Sequence, residues 1–298
     1  MKKIRVLHMV ILFITVLYQG IGQELPVKVD NGNAPLRSLL HVELQKKLEK
    51  VISNNPGWNS LAKKKKMAVG LVDLSDINNI KFARVNGNEM MYAASLPKIA
   101  VLLAAIDAID KGELKETPEV KSDMYLMISK SNNQATTRMI DRIGYRRIER
   151  VLTSDKYNLY DEETGGGLWV GKRYAAGGPT HREPLKNLSH AATVTQVCRF
   201  YYLLFQGKLV NEKRSKQMLD IMKDPSLHHK FVSVMDQIAP KAKIFRKSGT
   251  WKTYHSDSML VWGNADRKYI LVALVDDSNG ERIIRDLVKP IEKILNIN

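Results

Sequence analysis

Ser95-Leu96-Pro97-Lys98-Ile99-Ala100-Val101-Leu102-Leu103-Ala104-Ala105-Ile106-Asp107-Ala108-Ile109 closes near Lys111-Gly112. Apolar residues occupy nearly every side of this segment rather than one stripe. That predicts a helix over Leu96–Ile109 buried between other elements. A serine and a lysine stand three positions apart at its start, on one face of the first turn, so hydroxyl and amine can meet. A serine hydroxyl is a poor nucleophile until a base removes its proton. Lysine can be that base when burial or a neighbouring cation stabilises its neutral form. Pro97 suits a first helical turn, where its missing donor is harmless, and the free amides there favour developing negative charge. Alone, a serine–lysine pair at this spacing is common by chance.

An interior helix needs layers on both sides, and the flanking sequence supplies them. Leu39, Leu40, Leu44, Leu48, Val51 and Ile52 give helical spacing over Leu36–Ile52, ended by Asn54-Asn55-Pro56-Gly57. Met67–Leu74 reads as a strand, with a turn near Asp76–Asn79 and a return strand Ile80–Arg84. Downstream, Ile244–Ser248, Ser258–Trp262 and Tyr269–Val275 are strand-like. After Asn279-Gly280, a helix over Glu281–Leu295 presents Ile283, Ile284, Leu287, Val288, Ile291 and Leu295. The middle reads as helical at Tyr125–Ile128, Gln134–Ile143 and Thr193–Phe205. A long interruption holding Gly165-Gly166-Gly167 and Gly177-Gly178-Pro179 is either a functional loop or disordered. Strands near both ends with helices between them predict a mixed α/β fold. In it, the terminal strands form one antiparallel sheet flanked by the terminal helices, with an inserted helical lobe. The sheet lobe is expected at about 36–94 and 240–298 and the helical lobe at about 95–239, in one domain spanning 36–298.

Of 298 residues, 44% are hydrophobic and 26% charged, which suits a substantial core and excludes a disordered or fibrous chain. Met1-Lys2-Lys3-Ile4-Arg5, the apolar run Val10–Leu17 and Gly20-Ile21-Gly22-Gln23 read as a signal peptide over 1–22, followed by a flexible segment over 23–35. An uncleaved anchor is the alternative, although the run is short beside the roughly 20 residues of a membrane span. Export to a periplasmic or extracellular location, without stable membrane insertion after leader removal, is expected. Formal net charge is +16, and +13 without Lys2, Lys3 and Arg5. Such a surface attracts anions. Lys63-Lys64-Lys65-Lys66 has no aromatic interleaving and no nucleic-acid motif beside it, so it reads as a solvated turn. No nucleic-acid partner is expected. The single cysteine, Cys198, lies in an apolar run and reads as a core residue.

Two further constellations join the first. In Ser131-Asn132-Asn133, a serine can shuttle a proton and an asparagine amide offers both donor and acceptor ends. An ordinary helix cap is the competing reading. In Lys247-Ser248-Gly249-Thr250, lysine offers charge to a substrate carboxylate, and Ser248 or Thr250 a hydroxyl. Gly249 leaves the strand edge bare for pairing with substrate. The amides of Thr250 and Ser95 could form an oxyanion hole.

In order and context, the three resemble the signatures of the serine penicillin-recognising enzymes, the serine beta-lactamases and penicillin-binding proteins: S-x-x-K, S-D-N and K-T-G or K-S-G. The resemblance runs from about Leu36 to the C-terminus and is nearest to the class A beta-lactamases. It implies a beta-lactamase/transpeptidase-like fold, acylation of Ser95, and Lys98 and Ser131 as its proton-handling partners. Asn133, Lys247, Ser248, Gly249 and Thr250 would hold substrate. Asn132 replaces the usual aspartate. Class A enzymes also carry E-x-x-L-N on an omega-shaped loop, and Glu183-Pro184-Leu185-Lys186-Asn187 matches its glutamate and asparagine but has Lys186 where leucine is usual. This implies that Glu183, held with Asn187, activates the deacylating water. Asp161, Glu162, Glu163, His181 and His190 are weaker candidates for that task. Ser95 and Ser131 are closer, and Ser131 and Glu183 farther apart, than is usual. The arginine that many class A enzymes place beside the third motif has no clear counterpart, although Lys252 could partly substitute.

Beta-lactam hydrolysis is the expected activity, with no metal or other cofactor. A peptidoglycan D,D-peptidase or transpeptidase, another serine hydrolase and a non-catalytic envelope-binding protein are the alternatives. The expected partner is a beta-lactam or peptidoglycan-like small molecule, and the expected state is a monomer.

Overall fold

Met67–Asp73 (β1) is buried at every position, the pattern of a strand covered on both faces. In the computed structural model, which describes residues 34–223, 225–264 and 266–297, β1 lies inside a five-stranded antiparallel sheet. Lys81–Val85 (β2) returns beside it. Five short strands follow: Met91–Tyr92 (β3), Tyr160–Asp161 (β4), Gly166–Gly167 (β5), Trp169–Val170 (β6) and His190–Ala192 (β7). Lys243–Trp251 (β8), Tyr254–Trp262 (β9) and Lys268–Asp276 (β10) complete the set. The large sheet runs β2-β1-β10-β9-β8, with Met67 opposite Val275 and Asp73 opposite Tyr269. One early strand and a late hairpin thus meet in the centre, and β8 is the edge strand, its outer side bridged at Phe245 by Lys223. The expected leader over 1–22 and the expected flexible segment up to residue 33 lie outside the described residues.

The helices are Val42–Ser53 (α1), Pro56–Lys63 (α2), Lys98–Asp110 (α3), Pro118–Ser129 (α4), Asn133–Ile143 (α5), Tyr145–Thr153 (α6), Val194–Phe205 (α7), Glu212–Met222 (α8), Phe231–Ile238 (α9) and Gly280–Ile294 (α10). Successive residues of a strand point to opposite faces, and the core divides accordingly. Val69, Leu71, Val261, Leu271 and Ala273 pack with Leu44 and Leu48 of α1 and Leu287, Val288 and Ile291 of α10. Ala68, Val72, Leu260, Val272 and Leu274 face α3, α7 and the other helices of the inserted lobe. The expected mixed fold, an antiparallel sheet flanked by terminal helices, is therefore what the chain adopts. Cys198 on α7 is fully buried, and a Cβ at Gly70 would sit 2.7 Å from its sulfur. Burial pushes that thiol up, so it fills space against the sheet.

Several boundaries differ from the sequence-based expectations. Asn54-Asn55-Pro56-Gly57 ends α1 but also starts α2: the Asn55 side chain accepts from the amides of Gly57 and Trp58 at 3.0 and 3.1 Å, and Pro56 fits the first turn. Gly144, at φ 75°, separates α5 from α6. In α6 only Ile148, Val151 and Leu152 are buried, so its apolar stripe is easily hidden among arginines. The long interruption is ordered. Trp169 Nε1 donates to His181 O at 2.6 Å, Thr137 Oγ1 donates to Tyr174 O at 2.6 Å, and Arg173 pairs with Asp141 at 2.6 Å. Lys63–Lys66 is exposed. Among the described residues, no helix is long and apolar enough to cross a membrane.

Candidate active site

Ser95 sits half-buried in the turn before α3. The regular helix begins only at Lys98, preceded by a tighter turn in which the Lys98 amide donates to Ser95 O at 3.3 Å. The approach to Ser95 is fixed on both sides. Ala93 N donates to His190 O at 2.9 Å, and Ser256 Oγ donates to Ala93 O at 2.8 Å. Ala94 is held at φ 49°, an uncommon conformation for a residue with a side chain.

Lys98 is fully buried. Its amine donates to Ser131 O at 2.7 Å and to Asn133 Oδ1 at 2.8 Å, with Ser131 Oγ at 3.3 Å. Two acceptors that cannot donate thus engage two N–H groups, which leaves a neutral amine its lone pair. Burial pushes Lys98 down to about 7. Ser95 is not among its hydrogen-bond partners, so proton transfer needs a small shift or a bridging water, as is common before substrate arrives. Ser131 lies at φ 53°, and that turn directs both its carbonyl and its hydroxyl at the amines. Asn132 supplies the helix cap for α5, accepting from Ala135 N at 2.8 Å. Asn133, one position on, engages Lys98. The competing cap reading and the reactive reading therefore describe adjacent asparagines.

Lys247, on β8, is 1% exposed and donates to Ser131 Oγ at 2.9 Å and Ser248 O at 2.7 Å. Burial, reinforced by Lys98 and Arg246, holds its amine well below the ordinary lysine range. An arriving carboxylate would favour its charged form. Gly249 is required by contact: a Cβ there would stand 2.5 Å from both Ala93 O and Ser95 N. Ser248 Oγ faces His229 Nε2 at 3.4 Å and is buried.

The cation beside Thr250 is one that the sequence did not reveal. Lys230, 1% exposed, donates to Gly249 O at 2.6 Å, Thr250 Oγ1 at 2.8 Å and Ser256 O at 3.1 Å. Burial pushes it down to about 8, partly offset by Asp257. Arg246 and Asp257 form a buried pair at 2.7 Å. Arg246 also donates to Leu227 O and His229 O, and Asp257 accepts from Phe231 N. These bonds clamp the chain around Lys230 onto the sheet. Lys252 instead occupies the exposed β8–β9 turn, its amine 6.0 Å from the Trp251 ring centre.

Glu183 is 1% exposed, but its carboxylate faces its own loop. One oxygen accepts from Tyr160 Oη at 3.1 Å and Leu185 N at 2.7 Å, the other from Lys186 N at 2.8 Å and Leu188 N at 2.9 Å. Asn187 is exposed at φ 57°, and the bond that joins it to Glu183 is its backbone amide donating to Glu183 O at 3.1 Å. Neither lines the cavity that contains Ser95. Among the weaker candidates, Glu162 and Glu163 are exposed, Asp161 accepts from Glu163 N at 3.0 Å, and His181 pairs with Glu149 at 2.9 Å. His190 alone of these lines the cavity. Its Nε2 lies 3.1 Å from Lys172 O and must donate there, leaving Nδ1 to accept from Ser189 Oγ at 3.0 Å. Burial pushes it down to about 4, so the ring is neutral and both nitrogens are committed.

The cavity measures about 510 Å³. Ser95, Asn133 and Thr250 border it together with the rings of Tyr92, Tyr174, His190, Trp251 and Tyr254. This arrangement can pair a hydroxyl with a nearby uncharged amine and relay a proton through Ser131; Lys247, the cation for an anion, is buried against the Ser131 hydroxyl and does not itself line the cavity. Among the described residues, no group of three His, Cys, Asp or Glu side chains could hold a metal ion.

The same architecture occurs in penicillin-binding and beta-lactamase structures. An acyl-enzyme complex of a PBP-A mutant with penicillin G is 18% identical, with a TM-score of 0.64 over 86% of this chain and 97% of that one. A beta-lactamase from Chitinophaga pinensis is 16% identical, with a TM-score of 0.63 over 84% and 97%. A class A representative from Bacteroides cellulosilyticus is 19% identical, with a TM-score of 0.62 over 85% and 98%. At these identities the likeness establishes the fold. No curated protein matches the sequence. The family model described as the beta-lactamase enzyme family matches residues 43–125 and 117–295, and with nearly the whole described chain inside that match, the protein belongs to the beta-lactamase enzyme family.

Proposed function

We propose that this chain is an exported, class A-like serine hydrolase that opens the beta-lactam amide through an acyl-enzyme on Ser95. The observation carrying the reading is the Ser131 hydroxyl shared by two buried amines, Lys98 and Lys247, beside the cavity that Ser95 lines. Neutral Lys98 takes the Ser95 proton, directly or through water, as Ser95 Oγ attacks the lactam carbonyl. The Ser95 and Thr250 amides receive the oxyanion. Ser131 passes a proton to the departing nitrogen as the C–N bond breaks, and Lys247 holds the substrate carboxylate. Water then hydrolyses the ester and regenerates Ser95, with Glu183 as the candidate base.

A second reading, a peptidoglycan D,D-peptidase with a long-lived penicillin adduct, is favoured by one observation. The Glu183 carboxylate already accepts four hydrogen bonds from its own loop and Tyr160, so activating water would require it to release some of them. Intact mass followed over time after mixing with a penicillin separates the readings. An adduct on Ser95 that forms and clears supports the beta-lactamase, and one that persists supports the peptidase. No adduct from any beta-lactam or peptide ester sinks both.

A further inference from the structure

The peptide joining Ala94 to Ser95 is fastened by a residue from the long central loop. Tyr174 Oη donates to Ala94 O at 3.0 Å. That carbonyl and the Ser95 N–H are opposite ends of one rigid plane. A hydrogen bond at the carbonyl fixes the tilt of the plane and polarises it, making the N–H a stronger donor. The fastening has a reason to exist. Ala94 is held at φ 49°, a conformation that persists only where the surroundings enforce it.

Tyr174 also reaches the second reacting group. Its ring centre lies 4.6 Å from Lys98 Nζ, and the His190 ring lies 4.2 Å away. The side chain cannot easily turn away, because Thr137 Oγ1 holds its carbonyl at 2.6 Å and the residue is only 7% exposed. Burial pushes the phenol well above its ordinary range, so it remains a donor at neutral pH. The ring acts on Lys98 in two opposing ways. Its face attracts a cation, while its bulk keeps water from the amine, which favours the neutral form. Burial lowers the Lys98 value, the direction of the second effect.

We infer that Tyr174 is a positioning residue for both reacting groups, its hydroxyl aiming the Ser95 amide and its ring covering the Lys98 amine. The kinetic consequence rests on the Ser95 acyl-enzyme reading, but the geometric one does not. Tyr174→Phe keeps the ring and removes only the hydroxyl, and Tyr174→Leu removes both.

The first measurement uses free enzyme labelled with 15N-serine, with Ser95 assigned by its loss in Ser95→Ala. In Tyr174→Phe the Ser95 amide proton is expected to move upfield, with other serine resonances and the unfolding midpoint nearly unchanged. An unmoved Ser95 resonance overturns the hydroxyl's role. The second measurement is stopped-flow acylation by a chromogenic cephalosporin. The Phe variant is expected to lose roughly tenfold in acylation rate, less than the 10²–10³ for deleting an oxyanion donor outright, at unchanged affinity of the non-covalent complex. A parental rate overturns it. In the Leu variant the acid limb of the pH profile is expected to move to higher pH as water reaches Lys98, and an unmoved limb overturns the ring's role. If the parent itself is never acylated, the functional reading fails while the Ser95 resonance still decides the role of Tyr174.

Discussion

A Cβ at Gly249 would lie 2.5 Å from the backbone nitrogen of Ser95. The third motif's glycine is therefore what lets β8 reach the peptide that precedes α3, and the two nearest opposing atoms, Ala93 O and Ser95 N, are backbone and cannot swing aside. Gly249→Ala is expected to push these segments apart and to reduce Ser95 acylation by about 10²-fold, the scale of loss for a displacement near 1 Å. Acylation kinetics beside a thermal melt checks this. A variant that acylates at the parental rate would show that the contact has no bearing on chemistry.

Of the three buried amines at the site, Lys98 and Lys230 make opposite demands on pH. Lys98 must lose its proton to act as a base, and its value is pushed down to about 7, so the acylation rate constant is expected to rise with pH and level off above 7. Lys230 must keep its proton to remain a cation beside Thr250, and its value is about 8, so affinity for an anionic substrate is expected to fall above that. The efficiency kcat/KM is then bell-shaped, and Lys247, which must be charged to hold the carboxylate and is also held below the ordinary lysine range, adds to the alkaline limb. Single-turnover rates at constant ionic strength measure both limbs. A flat acid limb would exclude Lys98 as the base.

Lys230 itself offers a sharper test. Its amine joins Gly249 O, Thr250 Oγ1 and Ser256 O, and a hydrogen bond to a charged group contributes about 1.5–3 kcal/mol. Lys230→Met is expected to raise KM for an anionic beta-lactam by roughly tenfold or more while sparing the acylation step. A neutral ester substrate should feel much less. Equal losses on both substrates would mean that the residue acts only through folding.

Those motifs that combine spacing with a fixed secondary-structure context were legible in the sequence. Ser131 and Lys247 reach Lys98 or its partners because each is placed by elements whose own pattern was readable: Ser131 between α4 and α5, and Lys247 within β8. Lys230 was not legible. It lies in Leu227-His228-His229-Lys230-Phe231, with no periodicity, and its position depends on the Arg246–Asp257 pair, a contact across elements. Tyr174 was hidden for the same reason, as a loop residue whose meaning comes from Ala94 and Lys98. The Glu183–Asn187 spacing illustrates the opposite risk. It matches a known signature, yet local amides and Tyr160 take up the carboxylate, a geometry that spacing does not specify. Short helices such as α2 and α6 were missed because a proline or a run of arginines obscured a narrow apolar face.

Glu183 binds three backbone amides and one phenol out of contact with solvent. Replacing it with glutamine removes the charge and turns one acceptor into a donor facing donors. Glu183→Gln is expected to lower stability by about 1–3 kcal/mol, measured by chemical denaturation, while leaving the acylation rate of Ser95 at the parental value. The deacylation rate of the same variant then decides between the functional readings. Deacylation that slows by more than tenfold assigns Glu183 to the water, and unchanged deacylation confines it to the loop.

Trp251 ends β8 with 56% of its surface exposed, an unusual place for a large apolar ring. It stands opposite Tyr254 in the hairpin. Tyr254 meets Tyr92 edge to face at 5.3 Å, and Tyr92 meets His190 at 5.9 Å, so these three rings form a connected run in the cavity lining. A substrate pairing along the outer edge of β8 from Gly249 outward would carry its acyl substituent across this surface. Aromatic contacts of that kind contribute about 0.5–1.5 kcal/mol beyond area burial. Trp251→Ala is therefore expected to raise KM for beta-lactams bearing a phenyl acyl group by about three- to tenfold, and to leave those bearing a small aliphatic group nearly unchanged. Steady-state or pre-steady-state comparison of the two substrate sets measures the ratio. An equal loss on both would place the acyl group elsewhere in the cavity.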